Sequence, residues 1–222
     1  MTSLEFPDAL EELGVEAFRN CSNLSSITFG VGLKTIGGVA FASCPKLTEL
    51  ELPRGVTEIG DGAFRDCYGL ASISLPDSIT TIGLSTFTNC SKLQRIEIPK
   101  TVTAIASQAF LGCTSLENII ARATVPPLCG VSFDNENYQN AMLCVPQSSI
   151  QAYMSAPEWK RFNSITSIGD MNCDNEVNIA DINVLIGAIL MGEMDYLMDV
   201  NGDGELNISD INAVVDIIFR PD

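Results

Sequence analysis

Histidine is absent from this 222-residue chain, and basic residues are scarce. Without an imidazole, the chain lacks the usual general base and the Ser-His and Cys-His nucleophile arrangements. Twelve Lys and Arg stand against 28 Asp and Glu, and the net charge of −16 argues against a nucleic-acid partner. Paired carboxylates could in principle hydrolyse glycosides, but the densest acidic clusters belong to the metal loops described below. We therefore expect no catalytic residues and a protein that is not an enzyme.

Long apolar runs and a secretory leader are also missing. No apolar run approaches the roughly 18 residues that a membrane-spanning helix needs, so no transmembrane segment is predicted. No charged-plus-apolar secretory segment precedes the first repeat. We interpret the chain as a fragment or a processed protein from which the signal segment has been removed.

What the chain has in abundance is a repeat with a period of 23 residues. Three columns of identical residues keep strict register: Leu24, Leu47, Leu70, Leu93 and Leu116; Phe18, Phe41, Phe64, Phe87 and Phe110; Cys21, Cys44, Cys67, Cys90 and Cys113. Apolar alternation, as at Leu50 and Leu52, predicts one short strand per coil. Pro53 ends such a strand and Gly60 turns the chain after it. A period of about 20–29 residues is typical of leucine-rich repeats, in which each coil buries its core only against its neighbours.

The repeat unit resembles the BspA-like leucine-rich-repeat family of bacterial surface proteins. The unit reads L-x-x-I-x-L-P-x-x-V-x-x-I-G-x-x-A-F-x-x-C-x-x and is clearest over residues 47–69. The resemblance covers about residues 3–120 and includes the Pro, Gly, Ala-Phe and Cys columns. It implies a solenoid of short parallel strands over residues 1–123, one strand per coil, and adhesion to host or matrix molecules. No binding residue transfers with the motif, because the repeated residues belong to the core.

Residues 124–168 depart from the repeat, and we interpret them as the cap over the last open coil. The proline-rich segment 124–127 stops the regular coils, and 143–146 resembles one more strand. Two short helices are predicted after Ser148 and from Pro157, because Ser before an apolar run and Pro at a helix start are ordinary N-terminal signals. Trp159, the only tryptophan, is expected to seal this cap rather than stack on a ligand.

Eight cysteines raise the question of disulfides. The five in the repeat column are interpreted as buried small hydrophobes, because stacked coils give them parallel Cβ vectors that suit bridging poorly. Cys129 and Cys144, both in the cap, could pair with each other or stay reduced. Cys173 is expected to be exposed and incidental.

Two 12-residue stretches near the C-terminus have the ligand spacing of calcium loops, with oxygen-bearing side chains at positions 1, 3, 5, 9 and 12. The candidate metal residues are Asp170, Asn172, Asp174, Glu176, Asn178 and Asp181 in the first loop and Asp199, Asn201, Asp203, Glu205, Asn207 and Asp210 in the second. Position 6 requires a backbone that tolerates positive φ, which Gly204 supplies and Asn175 accepts. We therefore predict two bound calcium ions. Such loops imply a calcium-rich environment, so we expect an extracellular or cell-surface protein.

The segment 169–222 is strongly acidic, with 12 acidic residues and one basic residue. Helical apolar spacing follows each loop, from Ile182 and from Ile211, but none precedes the first loop. This duplicated loop–helix unit resembles the type I dockerin family, whose loops bind calcium and whose helices dock onto a cohesin domain. The resemblance implies a small all-α calcium-binding domain over residues 169–222 that depends on calcium to fold. The family's Ser-Thr pair at loop positions 10 and 11 is replaced here by Ile179-Ala180 and Ile208-Ser209.

The outward positions of the predicted strands form the expected binding face, which is where leucine-rich solenoids usually bind. These positions hold Ser26, Thr28, Glu49, Glu51, Ser72, Ser74, Arg95, Glu97, Asn118 and Ile120. None is aromatic, so the face has no sugar-stacking platform and no obvious hot spot. We predict the partner contacts around Glu49, Glu51, Arg95 and Glu97, which mix both signs of charge.

Together these features predict an extracellular, non-catalytic binding or adhesion protein whose calcium module is a rigid tail or tether. Its ligand would be an extracellular protein or a polysaccharide. The alternative is an accessory component of a polysaccharide-degrading assembly, recruited through dockerin–cohesin docking. The helical surface around Ile182, Leu185, Ile211 and Val214 would then dock onto a cohesin, or fold back within the same chain.

Overall fold

A computed structural model describes residues 1–172, 174, 176–192 and 198–219. Its short strands form two rows along a solenoid. The first row contains β1 (Ser3–Glu5), β3 (Ser26–Thr28), β5 (Glu49–Glu51), β7 (Ser72–Ser74), β9 (Arg95–Ile98), β11 (Asn118–Ala121), β13 (Met142–Val145) and β14 (Ser164–Ser167). The second row contains β2 (Glu12–Leu13), β4 (Thr35–Ile36), β6 (Glu58–Ile59), β8 (Thr81–Ile82), β10 (Ala104–Ile105) and β12 (Leu128–Cys129). Each regular coil contributes one strand to each row.

All strand pairs are parallel, and in the regular coils their register follows the repeat. Leu50 lies opposite Ile73, one period further along the chain, and Ile36 lies opposite Ile59 in the second row. Because a strand alternates its faces, these residues point into the core while their neighbours point outward. The sequence prediction of one apolar-alternating strand per coil is confirmed, and a second, two-residue strand is present as well.

The aromatic column forms the centre of the core. Phe41 and Phe64 lie with ring centroids 5.8 Å apart and planes inclined by 5°. The rings of Phe64 and Phe87 are 5.7 Å apart and inclined by 2°. Offset stacking at such distances is favourable beyond the apolar area that it buries. The main chain at this column is also paired between coils, because Phe41 N–H donates to the Ala63 carbonyl at 2.8 Å.

The cysteine column is buried as thiols, in agreement with the sequence prediction. Cys44, Cys67, Cys90 and Cys113 are free and buried, while Cys21 at the first coil is half-buried. Each buried thiol donates to a phenylalanine carbonyl of the preceding coil, as Cys67 Sγ does to Phe41 O at 3.2 Å. The column is therefore a set of small buried donors that link successive coils.

The glycine column is explained by close contact between coils. A Cβ placed on Gly60 would lie 2.4 Å from the amide nitrogen of Gly38 in the preceding coil. Such a contact is far shorter than atoms tolerate, so only a residue without a side chain allows the coils to approach at this corner.

The coils continue further than the sequence predicts. Beyond the proline-rich segment 124–127, β12 pairs with β10, β13 with β11 and β14 with β13. Phe133 extends the aromatic column, with its ring 5.1 Å from that of Phe110. The predicted break in register at residue 124 is therefore only partial: the spacing between paired residues increases from 23 to 24, as between Ala104 and Leu128, and the parallel ladder continues.

Short helices close this end of the solenoid. They are α1 (Asn135–Asn140), a 3-10 turn at Gln147–Ser149 that leads into α2 (Ile150–Ser155), and a second 3-10 turn at Trp159–Arg161. Trp159 is fully buried, and its indole N–H donates to the Pro127 carbonyl at 2.8 Å. Its ring packs against those of Phe133 and Tyr153. The prediction that Trp159 seals the end of the solenoid is confirmed.

The possible Cys129–Cys144 disulfide does not form. No disulfide bond joins the two residues. Cys129 lies on β12 in the second row of strands and Cys144 on β13 in the first row. The two side chains therefore belong to different sheets, and the sequence alone does not show this separation.

The C-terminal segment contributes two helices, α3 (Ile179–Met191) and α4 (Ile208–Phe219). They pack against each other around a small apolar cluster that includes Leu185 and Val214. The start of α3 is capped by Asn178, whose side chain accepts the Ala180 N–H at 2.8 Å. No helix in the described ranges is long and apolar enough to cross a bilayer. We call this segment, from Asp170 onward, the C-terminal module.

Candidate metal loops and strand face

The first candidate metal loop is organised around the carboxylate of Asp181, its twelfth residue. Asp181 is fully buried. Its Oδ1 accepts the N–H groups of Met171 and Asn172 at 2.7 and 3.1 Å, and its Oδ2 accepts the N–H of Asn178 at 2.8 Å. One carboxylate therefore ties the beginning of the loop to its end.

The second loop repeats this arrangement. The buried carboxylate of Asp210 accepts the N–H groups of Asn201 at 3.3 Å and Asn207 at 2.9 Å. At the other end, Asp199 accepts the N–H groups of Gly202, Asp203 and Gly204 at 2.7, 3.1 and 2.9 Å. Gly204 has a φ of +88°, as predicted for position 6. The equivalent Asn175, and the exposed thiol predicted at Cys173, lie outside the described residues.

The remaining candidate ligands lie on the open side of each loop. Asn172 Nδ2 donates to Asp174 Oδ2 at 2.8 Å, and Asn201 Nδ2 donates to Asp203 Oδ2 at 2.9 Å. At position 7, the N–H groups of Glu176 and Glu205 donate to the position-5 carboxylates, each at 2.9 Å. These glutamate side chains are exposed, so position 7 would contribute its backbone carbonyl.

The donor set fits a hard divalent cation, although the carboxylates alone do not assemble a metal centre. Within the described ranges, no three Asp, Glu, Cys or His side chains converge closely enough to hold a metal ion. The loops differ from a carboxylate cluster because asparagine oxygens occupy positions 3 and 9 in both. Calcium accepts such mixed sets of carboxylate, amide and carbonyl oxygens. Asp181 and Asp210 are also buried negative charges with no ion-pair partner among the described residues.

The strand face, meaning the outward residues of the first row, divides into an open half and a covered half. Glu49 and Glu51 on β5 are exposed. Arg95 and Glu97 on β9 are half-buried, and Glu97 accepts a 2.8 Å bond from Arg122 Nε. The four residues proposed as partner contacts therefore share one row of strands, but Glu97 is already held within the chain.

Ile120 does not belong to the exposed face, contrary to the sequence prediction. It is 6% exposed, and it lines a small cavity with Arg122, Cys144, Asp170 and Asp199. The C-terminal module packs over this end of the first row. A contact between segments so distant in the chain leaves no pattern in the local sequence.

The apolar helix positions that the sequence assigned either to docking or to packing within the same chain form the interior of the C-terminal module. Leu185 and Val214 are fully buried, and Ile182 and Ile211 pack against them. The exposed apolar residues of the module include Ile179 and Ile208, which are 71% and 70% exposed and occupy position 10 of the two loops. The helical period correctly located the apolar stripe, but α3 and α4 bury it against each other.

Two residues that the sequence did not single out join the C-terminal module to the solenoid. Arg122 donates through Nη1 to the Val200 carbonyl at 2.6 Å and through Nη2 to the Asp199 carbonyl at 2.9 Å. Thr166 on β14 donates to the carboxylate of Asp170. The sequence does mark Arg122 as unusual, because it replaces the proline that the repeat places at Pro53, Pro76 and Pro99.

Comparison with known proteins identifies the repeat. A family model described as the BspA type leucine-rich repeat region matches residues 1–117 and 81–189. The crystal structure of a T. pallidum leucine-rich repeat protein is similar, with 25% identity and a TM-score of 0.53 over 72% of this chain and 80% of that one. No curated protein matches the chain.

Two further solved structures are more distant. A leucine-rich cell surface protein of Faecalibacterium prausnitzii has 17% identity and a TM-score of 0.37 over 78% of this chain and 61% of its own. The pneumococcal vaccine antigen PcpA has 16% identity and a TM-score of 0.31 over 79% of this chain and 64% of its own. The family match alone spans well over half of the chain and agrees with the observed parallel coils, so this protein belongs to the BspA-type leucine-rich repeat family.

Proposed function

We propose that this protein is a non-catalytic binding or adhesion protein that works outside the cell or at its surface. The single observation that carries the proposal is the open half of the strand face, where the outward residues of consecutive parallel coils form a continuous exposed surface. The residues fixed by the repeat are core residues, so the variable outward positions are the ones available for recognition. The resemblance of the repeat to surface adhesins points to the same role.

The contact surface is centred on Glu49 and Glu51 of β5. Both are exposed on a rigid strand, and the neighbouring outward positions of β3 and β7 are serines and a threonine. Such a polar, charged surface without an apolar centre favours moderate and salt-sensitive binding to a macromolecule rather than to a small molecule. The ligand would be an extracellular protein or a polysaccharide.

The C-terminal module, in this proposal, binds two calcium ions in dockerin-like loops. The buried carboxylates of Asp181 and Asp210, the amide oxygens at positions 3 and 9 and the carbonyl at position 7 would supply the ligands. Bound calcium would offset buried negative charge that is otherwise held only by backbone N–H groups. The ions would have a structural role, since they would fix the two loops from which α3 and α4 start.

The test of the binding face is an array of extracellular-matrix proteins and polysaccharides probed with the full chain. The variant Glu49→Lys/Glu51→Lys reverses both charges at the proposed centre. The matched control is Glu12→Lys/Glu58→Lys, which reverses two exposed glutamates on the second row of strands. A ligand that is captured by the wild type and the control but lost by the first variant supports the proposal. Equal loss in both variants, or none in either, contradicts the assignment of this face.

A second candidate function is recruitment to a polysaccharide-degrading assembly through a cohesin domain. One observation favours it: Ile179 and Ile208 are exposed at equivalent positions of the two loops. Exposed large apolar residues at paired positions are typical of a docking surface. Tight, calcium-dependent capture of the full chain by a cohesin panel, abolished by Ile179→Asp/Ile208→Asp, would establish this alternative. Capture that the double variant does not affect would exclude this surface.

A further inference from the structure

The second metal loop is held from outside by the solenoid. Arg122 follows β11, and its side chain is only 14% exposed. Its guanidinium forms three hydrogen bonds at once: to Glu97 at 2.8 Å, to the Val200 carbonyl at 2.6 Å and to the Asp199 carbonyl at 2.9 Å. Glu97 orients the planar guanidinium, and the opposite edge of the same group reaches the loop. This is the fixed fork geometry for which arginine is suited and lysine is not.

These contacts are compatible with a cation in the loop. The carbonyls that Arg122 binds belong to positions 1 and 2, whereas a loop of this type uses the carbonyl of position 7. Asp199 is therefore held on two sides. Its backbone carbonyl is bound by the solenoid, while its carboxylate accepts three N–H groups of its own loop. The first ligand position cannot move without breaking one of these two sets of bonds.

The fit at the contact is close. A Cβ placed on Gly202, at position 4, would lie 3.1 Å from the guanidinium carbon of Arg122. The loop backbone thus lies directly against the guanidinium group, and a side chain at this position would require Arg122 to shift by a few tenths of an ångström. The first loop has a parallel tie, since Asp170 at its own position 1 accepts a hydrogen bond from Thr166 of the last solenoid strand.

We propose that the Arg122–Glu97 pair is a clamp that couples divalent-cation binding in the second loop to the seating of the C-terminal module on the solenoid. The inference rests on the proposed function, because it needs the second loop to bind a hard cation such as calcium. Ordering of residues 199–204 shapes the ligand positions and also presents the two carbonyls to Arg122. Cation binding and docking therefore stabilise the same loop conformation, and each strengthens the other by the same factor.

The coupling follows from geometry rather than from net charge. Arg122 alone would repel a cation, but Glu97 at 2.8 Å offsets its charge. The pair therefore fixes the position of the second loop but changes the electrostatic potential at the cation site only a little. Because Glu97 is hydrogen-bonded to Arg122, it is not available to a ligand of the strand face. We therefore place ligand binding on the coils that precede β9.

The experiment removes the pair without changing net charge, in the full chain. The variant Arg122→Ala/Glu97→Ala is compared with Arg19→Ala/Glu16→Ala, which deletes another arginine–glutamate pair, with a contact of 2.7 Å, in the first coils. Arg122→Lys is the conservative variant, which keeps the charge and loses the fork. Hydrogen exchange of residues 198–206 is measured in chelator and in calcium, and calcium affinities are measured by calorimetry.

We expect exchange at residues 198–206 to be at least about tenfold faster in the clamp variant than in the control, which is the effect of losing one charge-assisted hydrogen bond. One of two calcium affinities should fall about tenfold, with the other unchanged, and Arg122→Lys should lie closer to the deletion than to the wild type. If the wild type binds two ions and the clamp variant binds both equally well, the coupling is wrong while the metal proposal stands. If the wild type takes up no calcium, both proposals are wrong, and exchange in chelator still shows whether Arg122 holds the loop.

Discussion

Phe64 and Phe87 lie one coil apart with their ring planes within 2° of parallel. Phe64 also stacks on Phe41 in the other direction, so its ring is covered on both faces by identical rings. The stability of this solenoid therefore depends on how many neighbouring coils each aromatic ring contacts.

The first prediction concerns this column. Phe64→Ala should lower the free energy of unfolding by about 3–5 kcal/mol, because a fully buried ring is removed from between two others. Phe18→Ala should lower it clearly less, because Phe18 lies in the first coil and is half-buried. Chemical denaturation of both variants measures the difference. Tyr68→Ala removes a 48% exposed aromatic ring and should change little; equal losses at Phe64 and Phe18 would contradict the stacked column.

The second prediction concerns thiol reactivity. Burial raises the pKa of Cys67 and of Cys113 to about 12, and that of Cys44 to about 11. Since only the thiolate is nucleophilic, at pH 8 a pKa of about 12 leaves roughly a thousandfold less reactive form than an ordinary thiol has. A thiol reagent at pH 8 should therefore modify half-buried Cys21 well before these three residues. Mass spectrometry of the labelled native protein identifies the modified positions, and rapid labelling of Cys67 would show that the column opens.

The third prediction is the dependence of stability on pH. The column thiols have pKa values that burial raises above the unfolded value near 9. A raised pKa means that folding favours the protonated thiol, so the full stability is present below about pH 9 and is lost as the pH rises towards 12. Urea denaturation at pH 8 and pH 10.5 should show this loss. Cys67→Ala should be less stable at pH 8 but should lose less stability between the two pH values than the wild type.

The sequence predicted the regular coils well because their signals are local and repeated. Each Leu, Phe and Cys column recurs in strict register, so an accidental match at one coil does not change the prediction. Phe133 has the same spacing from Phe110, yet the prolines at 126 and 127 obscured it, because they interrupt the strand signal between the two rings. The strand β14 repeats the Ser-Ile-Thr triplet of β3. The Leu, Cys and Phe of the repeat do not precede it at their usual spacing, so the sequence signal is incomplete there, and β14 pairs with the edge of β13.

In the candidate sites, too, local features could be predicted from the sequence and long-range contacts could not. The order of candidate ligands along each candidate metal loop is a local property, and the carboxylate of the twelfth residue accepts hydrogen bonds from the loop's own backbone. The contact of Arg122 with Asp199 joins residues 77 positions apart. No periodicity reports such a contact, and the burial of Ile120 under the C-terminal module follows from it.

The fourth prediction concerns metal removal. At a calcium concentration about 100 times the dissociation constant, one bound ion should stabilise the C-terminal module by roughly 2.7 kcal/mol. A chelator should therefore lower the melting temperature of α3 and α4, followed by their helical circular dichroism signal, and leave the stacked coils folded. Hydrogen exchange separates the two regions. Melting that a chelator leaves unchanged would show that the C-terminal module does not depend on calcium.

The most direct test of the calcium proposal is a calorimetric titration of the full chain with calcium after treatment with a chelator. Two ions should bind per chain. Asp210→Asn should lose one of them, because it removes the buried charge that closes the second loop, whereas Asp77→Asn on the solenoid surface should keep both. Uptake of two ions by the wild type and of one by Asp210→Asn is the predicted result, and the absence of calcium uptake by the wild type would contradict it.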